Sequence, residues 1–274
     1  MVTRRDYTEE KVKAAHSVLI ELVHLLGQYR DDIALIGGWV PEALIADKTE
    51  PYIGSMDVDI ALNHRNLQEE GYRTIEQLLL GRGYRKGSQP FIYHRTVTID
   101  ATAVDVQVDL LAGEYEGTGK NHRHQKMQDI QARKIRGCDL VFDMAQAITI
   151  EGELPGGGKD RVSIRVASIV AFFVMKAMAL DERLKEKDAW DIYYCLRHYA
   201  GGLDAIVEEF KPHIHNGLVQ EGLEKIAKHF ETTENIGPKF IVDFYDETDP
   251  EARDMVRRDA FERMNYVLEK LRVK

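Results

Sequence analysis

Gly54–Leu62 reads GSMDVDIAL. Asp57 and Asp59 stand one residue apart in a run that is otherwise apolar. Aspartate is among the poorest strand formers, so two of them in a strand-like segment need a reason. Residues two apart on a strand point to the same face, with Cα atoms about 6–7 Å apart. Two carboxylates held side by side repel unless a cation lies between them or one is protonated. Hard divalent cations such as Mg²⁺ favour oxygen clusters of this kind. The competing reading is an edge strand whose acids are simply hydrated.

Three neighbouring features favour the cation. Ile33–Ile36 is a short apolar run that ends in Gly37-Gly38, a strand entering a tight turn. A Gly-Gly turn lets backbone N–H groups approach phosphate oxygens closely. Ser55, just before the acid pair, offers a hydroxyl to a phosphate. Further on, Ala103–Leu111 alternates, with Val104, Val106, Val108 and Leu110 on one face and Asp105, Gln107 and Asp109 on the other. A third carboxylate on a strand beside Asp57 and Asp59 would complete a holder for two metal ions. Alternation alone leaves Asp105 and Asp109 equivalent.

Around these strands, helical periodicity covers Glu10–Tyr29 and Leu67–Leu80, and Val40–Ala46 reads as a short helix with Pro41 near its start. Phe91–Ile99 is a strand. Ala147–Glu151 and Val162–Val166 flank ELPGGGKD and read as a hairpin. The GGG run lacks the following Lys-Ser/Thr of a phosphate loop. From Ala167 the pattern is helical, over Ser168–Leu180, Asp188–His198, Leu203–Phe210, Gly217–Phe230 and Pro250–Leu271. The expected organisation is α+β: a mixed sheet with flanking helices over residues 1–166, then a helical domain over 167–274.

At 274 residues, 44% hydrophobic and 30% charged, the chain has the make-up of a soluble globular protein. No apolar run approaches the ~18 residues of a spanning helix, so no membrane partner is expected. MVTRRDYTEE has no apolar core after its arginines and does not read as a signal peptide. Two distant cysteines, Cys138 and Cys195, point to a reducing, cytoplasmic setting. The net charge of −9 gives no global attraction to nucleic acid. Lys120–Arg136 is the exception, with six Lys/Arg, two His and one acidic residue. It reads either as an electrostatic footprint for phosphates or as a solvated loop and helix face. His122 and His124 alone make a weak case for a metal.

With these residues in hand, Gly37-Gly38, Ser55-Met56-Asp57-Val58-Asp59 and Asp109 in VDLL, the chain resembles the nucleotidyltransferase superfamily with the DNA polymerase β-like fold. The resemblance implies NTP binding at Gly37, Gly38 and Ser55, and Mg²⁺ (or Mn²⁺) on Asp57 and Asp59. It also implies a third acid on the neighbouring strand, for which VDLL favours Asp109 over Asp105. Eighteen residues separate Gly38 from Asp57, longer than the family's usual gap, and Asp47–Ile53 reads as a loop extension.

The C-terminal half narrows the resemblance. Lys176 lies in FFVMKAMAL, followed by Arg183 and by Lys187-Asp188-Ala189-Trp190-Asp191-Ile192-Tyr193. This ordered set resembles the AbiEii/AbiGii-type nucleotidyltransferases, which include toxins of type IV toxin–antitoxin systems. Asp188 and Asp191 are one turn apart on one helix face. A lone lysine in an apolar helix needs a partner, a site, or a snorkelling path to water. As a site residue, Lys176 would stabilise triphosphate charge, with Lys187 as a second cation. Lys176, Asp188 and Asp191 thus join the expected catalytic set. The acceptor implied is a tRNA end or a protein hydroxyl, with a cognate antitoxin as a partner. Gly37-Gly38-Trp39 also resembles aminoglycoside and lincosamide nucleotidyltransferases, which would make the acceptor a small drug. A nucleotide-binding or interaction module without turnover is a further alternative.

Overall fold

A computed structural model of the chain describes residues 2–45, 50–67, 74–114 and 124–273, with 124–127 in backbone alone. They divide into two units. One comprises Tyr7–Ala43 and Gly54–Ser168; the other comprises Met1–Asp6, Leu44–Ile53 and Ile169–Lys274. The fold is α+β, with a sheet that mixes parallel and antiparallel strands.

The first unit is built on one sheet. Its elements are α1 (Glu9–Leu25), β1 (Ile33–Ile36), the start of α2 (Val40–Leu44), β2 (Asp57–Leu62), α3 (Ile75–Gly81), β3 (Arg85–Lys86), β4 (Ile92–Ile99) and β5 (Thr102–Ala112). They continue with β6 (His124–Met127), β7 (Ile130–Lys134), α4 (Asp139–Met144), β8 (Gln146–Glu153) and β9 (Lys159–Val166). Strand order is β3-β4-β5-β2-β1-β9-β8, with β7 joined to β5 and β6 to β7. β2 runs antiparallel to β1 and parallel to β5.

The alternation in β5 decides which face is covered. Val106, Val108 and Leu110 are buried, and α1 packs on β5 with Ala14, Ala15, Val18, Leu19 and Leu22 in the core. Gln107 and Asp109 on the other face are half-buried, and Asp105 is exposed. α1 carries one acid inward. Glu21 is 2% exposed and accepts from Arg82 Nε at 2.7 Å and Arg95 Nε at 2.8 Å. Burial opposes its ionisation, but the two guanidinium partners prevail and hold it below the usual carboxylate range.

The basic segment differs from the expectation. Its described part is a hairpin, with β6 paired antiparallel to β7, and not a helix face. Ile130 and Ala132 are buried while Gln131 and Arg133 are exposed, so a period of two governs it. His122 and residues 120–123 lie outside the described residues, and of His124 only the backbone is described.

The second unit is helical: α5 (Ile169–Arg183), α6 (Glu186–His198), α7 (Gly202–Phe210), α8 (Gly217–His229), α9 (Ile236–Tyr245) and α10 (Pro250–Lys270). Phe172, Phe173, Phe210 and Phe244 are buried, each side chain stabilising by about 1.5–3 kcal/mol. α9 was not expected from periodicity. Among the described residues, no helix is long and apolar enough to cross a membrane.

Candidate functional site

β2 begins at the acid pair, and its parallel pairing with β5 sets the register: Asp57 opposite Gln107 and Asp59 opposite Asp109. Cross-strand partners share a face, on strands about 4.7–4.9 Å apart. Asp57, Asp59 and Asp109 therefore lie on the same face, the one that α1 leaves uncovered. Asp105, four residues before Asp109, belongs to a different set. It accepts from Arg85 Nη2 at 2.5 Å and from Thr96 Oγ1 at 2.9 Å, and His94 Nδ1 lies 2.8 Å from its other oxygen.

The glycine turn meets the same place. β1 pairs with β2 so that Ile36 faces Asp59, and the next residue, Gly37, has φ +68. That left-handed conformation suits glycine, and a Cβ there would also collide with the Asp59 carboxylate. Gly38 and Trp39 are buried in the same turn. Trp39 Nε1 donates to the Asp57 carbonyl at 2.8 Å, tying the turn to the first residue of β2. Ser55 Oγ donates to Asp57 Oδ1 at 2.6 Å, and Gln107 Nε2 donates to Asp109 Oδ1 at 2.8 Å. Burial pushes the Asp109 carboxyl up, and the charge of Asp57 adds to it. The Gln107 bond and the fields of Arg133 and His94 oppose the rise without cancelling it.

Three carboxylates and a serine hydroxyl make a donor set of hard oxygens, the chemistry that suits Mg²⁺ or Mn²⁺. The rise at Asp109 comes chiefly from burial, with the charge of Asp57 a smaller contribution. Among the described residues no group of three or more His, Cys, Asp or Glu side chains is arranged to hold a metal ion, and the case for one is the donor chemistry and the shared sheet face. Trp39, Gln107 and Arg133 border the acids, though sequence reasoning assigned none of them a part in the acid site. Alternation already put Gln107 on the acid face; the cross-strand register adds Arg133, which pairs with Leu111 on β5 just beyond Asp109.

Lys176, Lys187, Asp188 and Asp191 come together in the helical unit. Lys176 is 8% exposed, with Nζ 2.9 Å from Asp188 Oδ1 and 2.6 Å from Asp191 Oδ2. Arg183 donates to both oxygens of Asp188 at 2.8 Å. Lys187 Nζ donates to Asp191 Oδ1 at 2.7 Å, and so does Tyr52 Oη at 2.6 Å. Tyr52 also stacks on Trp190, with ring centroids 5.4 Å apart. Burial disfavours the Lys176 ammonium, yet its two carboxylate partners outweigh it and hold its pKa above the ordinary lysine value. Burial likewise opposes the Asp188 charge, and Lys176 with Arg183 overcomes it and holds the carboxyl below its usual range. Lys176 does not snorkel; it is enclosed in an ion network. Tyr52 was unforeseen because it falls in a stretch that reads as a loop.

Comparison of the chain with protein-family models, with curated proteins and with solved structures gave no match. The functional reading therefore rests on the site itself.

Proposed function

We propose that the protein is a Mg²⁺-dependent nucleotidyltransferase of the polymerase β-like type, transferring a nucleoside monophosphate from an NTP to a hydroxyl. The observation that carries the reading is the placement of Asp59 opposite Asp109 on parallel neighbours, with Asp57 on the same face and a glycine turn against Asp59.

Asp57, Asp59 and Asp109 would hold the cation, which when bound supplies charge neutralisation for the triphosphate. The turn at Gly37 and Gly38 and the hydroxyl of Ser55 would seat the phosphates. Asp109 would take the proton of the acceptor hydroxyl, a task for which a raised carboxyl is the stronger base. The acceptor oxygen forms a bond to the α-phosphorus, the bond to the bridging oxygen breaks, and pyrophosphate leaves. Positioning and charge supply most of the rate. Lys176, Lys187, Asp188 and Asp191 are assigned to the same activity by the spacing of their motif. Their closed network supports a role in shaping the helical unit as well.

For the acceptor we favour RNA, with a protein hydroxyl next, and with it a toxin-type role under a cognate antitoxin. The support is the concentration of Arg133, Lys134 and Arg136 at the end of β7, beside β5. The test is incubation with each α-labelled NTP, Mg²⁺ and cell extract, followed by separation of labelled RNA, protein and small molecules. Labelled RNA or protein is expected. Label on an aminoglycoside or lincosamide alone would move the protein to the drug-modifying class, and no label with any NTP would overturn the reading.

A further inference from the structure

The sheet ends in β8, three strands beyond β2 in the order β2-β1-β9-β8. β8 pairs with β9 along all eight of its residues, Gln146–Glu153, and among the described residues it has no strand on its other side. An open strand edge is a row of unpaired N–H and C=O groups, and proteins blunt such edges with short strands, lysines or prolines. The other ends of this sheet are blunted. β3 is two residues long, and both are basic and held in ion pairs, Arg85 with Asp105 and Lys86 with Glu76. β6 has four residues and contains Lys126. β8 is longer than either and contains no Lys, Arg or Pro.

The two rows of β8 differ. Ile148, Ile150 and Gly152 face α1, where a Cβ on Gly152 would meet His16 Cε1 at 2.6 Å. Both isoleucines are only half-buried, because no strand covers their outer side. Ala147, Thr149, Glu151 and Glu153 form the exposed row, and their β9 partners are Arg165, Ser163, Arg161 and Lys159. Among the described residues no ion pair engages Glu151 or Glu153.

We propose that β8 is the interface for a second copy of this chain, paired antiparallel about a two-fold axis at Thr149, so that two sheets join into one. The strand is self-complementary in that register. Thr149 meets its own copy, Ile148 meets Ile150, Ala147 meets Glu151 and Gln146 meets Gly152. Each isoleucine gains an apolar cross-strand partner on the α1 face. The row across the joint reads Arg165 and Ala147 of one copy, then Glu151 and Arg161 of the other, which sets the acid between two cations with only a small residue in the way. A register one pleat to either side sets Glu153 against Asp143, or Ile148 against Gly152. A parallel pair would gather the glutamates of both copies at one end, where like charges repel. A strand that pairs with itself about a two-fold axis closes at two copies and leaves no edge for a third.

The test uses the full chain. Light scattering over a concentration series should give a mass that rises from one chain to two. Thr149→Lys, at an exposed position, sets two ammonium groups against each other on the axis. It should weaken dimerisation about fivefold or more, with circular dichroism and thermal midpoint as in wild type. Thr149→Glu should do the same, and mixing the Thr149→Lys and Thr149→Glu chains should restore the dimer, which a merely structural role for Thr149 would not produce. Engineered cysteines read the register, since Cys138 and Cys195 are buried. Under mild oxidation Thr149→Cys should cross-link to itself, its Cα atoms being about 4.5–5.5 Å apart in either kind of antiparallel pair. Ala147→Cys should cross-link only when mixed with Glu151→Cys. A chain that stays monomeric at every concentration would overturn the inference and leave the edge to a strand of another protein. A dimer that Thr149→Lys leaves intact would overturn it too, as would Ala147→Cys cross-linking to itself as fast as Thr149→Cys.

Discussion

The Asp59 carboxylate lies where a side chain on Gly37 would have to stand, with Asp59 Cγ 2.7 Å from the ideal Cβ position. Turn and acid are therefore fitted to each other. Gly37→Ala should strain a left-handed residue by about 1 kcal/mol and displace Asp59 as well. Expected together are a fall in thermal midpoint and a loss of Mn²⁺ binding measured by electron paramagnetic resonance. Normal binding in Gly37→Ala would show that Asp59 tolerates displacement and is not a ligand.

Removing one acid from the triad should have opposite effects on stability and function. Asp57→Asn or Asp109→Asn relieves repulsion, so the metal-free protein should unfold at the same or a higher denaturant concentration than wild type. Transfer should be abolished in both. Asp105→Asn should keep metal binding, because Asp105 sits with Arg85 and His94.

Metal affinity should weaken on acidification at a higher pH than ordinary carboxylates would give. Asp109 has a raised pKa through burial and Asp57, so protons compete with the cation as pH falls through that raised value. Calorimetric titration of Mg²⁺ or Mn²⁺ across pH 4 to 8 reads this directly, and Gln at Arg133 should move the weakening to still higher pH.

The buried ions of the helical unit give it a defined pH window. Asp188 is held below its usual range, so its contribution is present above the unfolded value of about 4 and is lost as pH falls through the lower folded value. Lys176 is held above its usual value, so its contribution is intact below about pH 10.4 and is lost only at higher pH. Lys176→Met should cost about 3 kcal/mol or more, since two buried carboxylates lose a shared partner. Chemical denaturation from pH 2 to 11 tests both limbs.

Changing Arg133, Lys134 and Arg136 together to Gln should weaken RNA binding and flatten its dependence on salt. Filter binding at several salt concentrations measures the slope. A drug-type acceptor would be modified by this variant at close to the wild-type rate.

Much of the sheet unit was legible because its signals are local. The period of two in Asp57–Leu62 and Ala103–Leu111 shows in the residues themselves, as does the turn at Gly37-Gly38. The choice between Asp105 and Asp109 was not local, since both satisfy the same alternation. Only the pairing of β2 with β5 puts Asp109 beside Asp59 and leaves Asp105 to β3 and β4. The hairpin over the basic segment was masked by Lys, Arg and Gln, although Ile130 and Ala132 carried the inward alternation. α9 was hidden by Gly237 and Pro238, which sit in its first turn, where proline is tolerated. The ion network was half visible: spacing put Asp188 and Asp191 on one face, but their Tyr52 partner lies far away in sequence.

Tyr52 also has a consequence for how the gene can be cut. The helical unit is not a contiguous cassette, because Leu44–Ile53 belongs to it. A fragment of 169–274 would lack the Tyr52 hydroxyl on Asp191, the Glu50 carbonyl that accepts from Tyr194 Oη, and the Glu50 carboxylate on Arg197. Tail swaps at the apparent junction would exchange an unfinished module, whereas swaps that carry the short internal segment along would transplant a complete one.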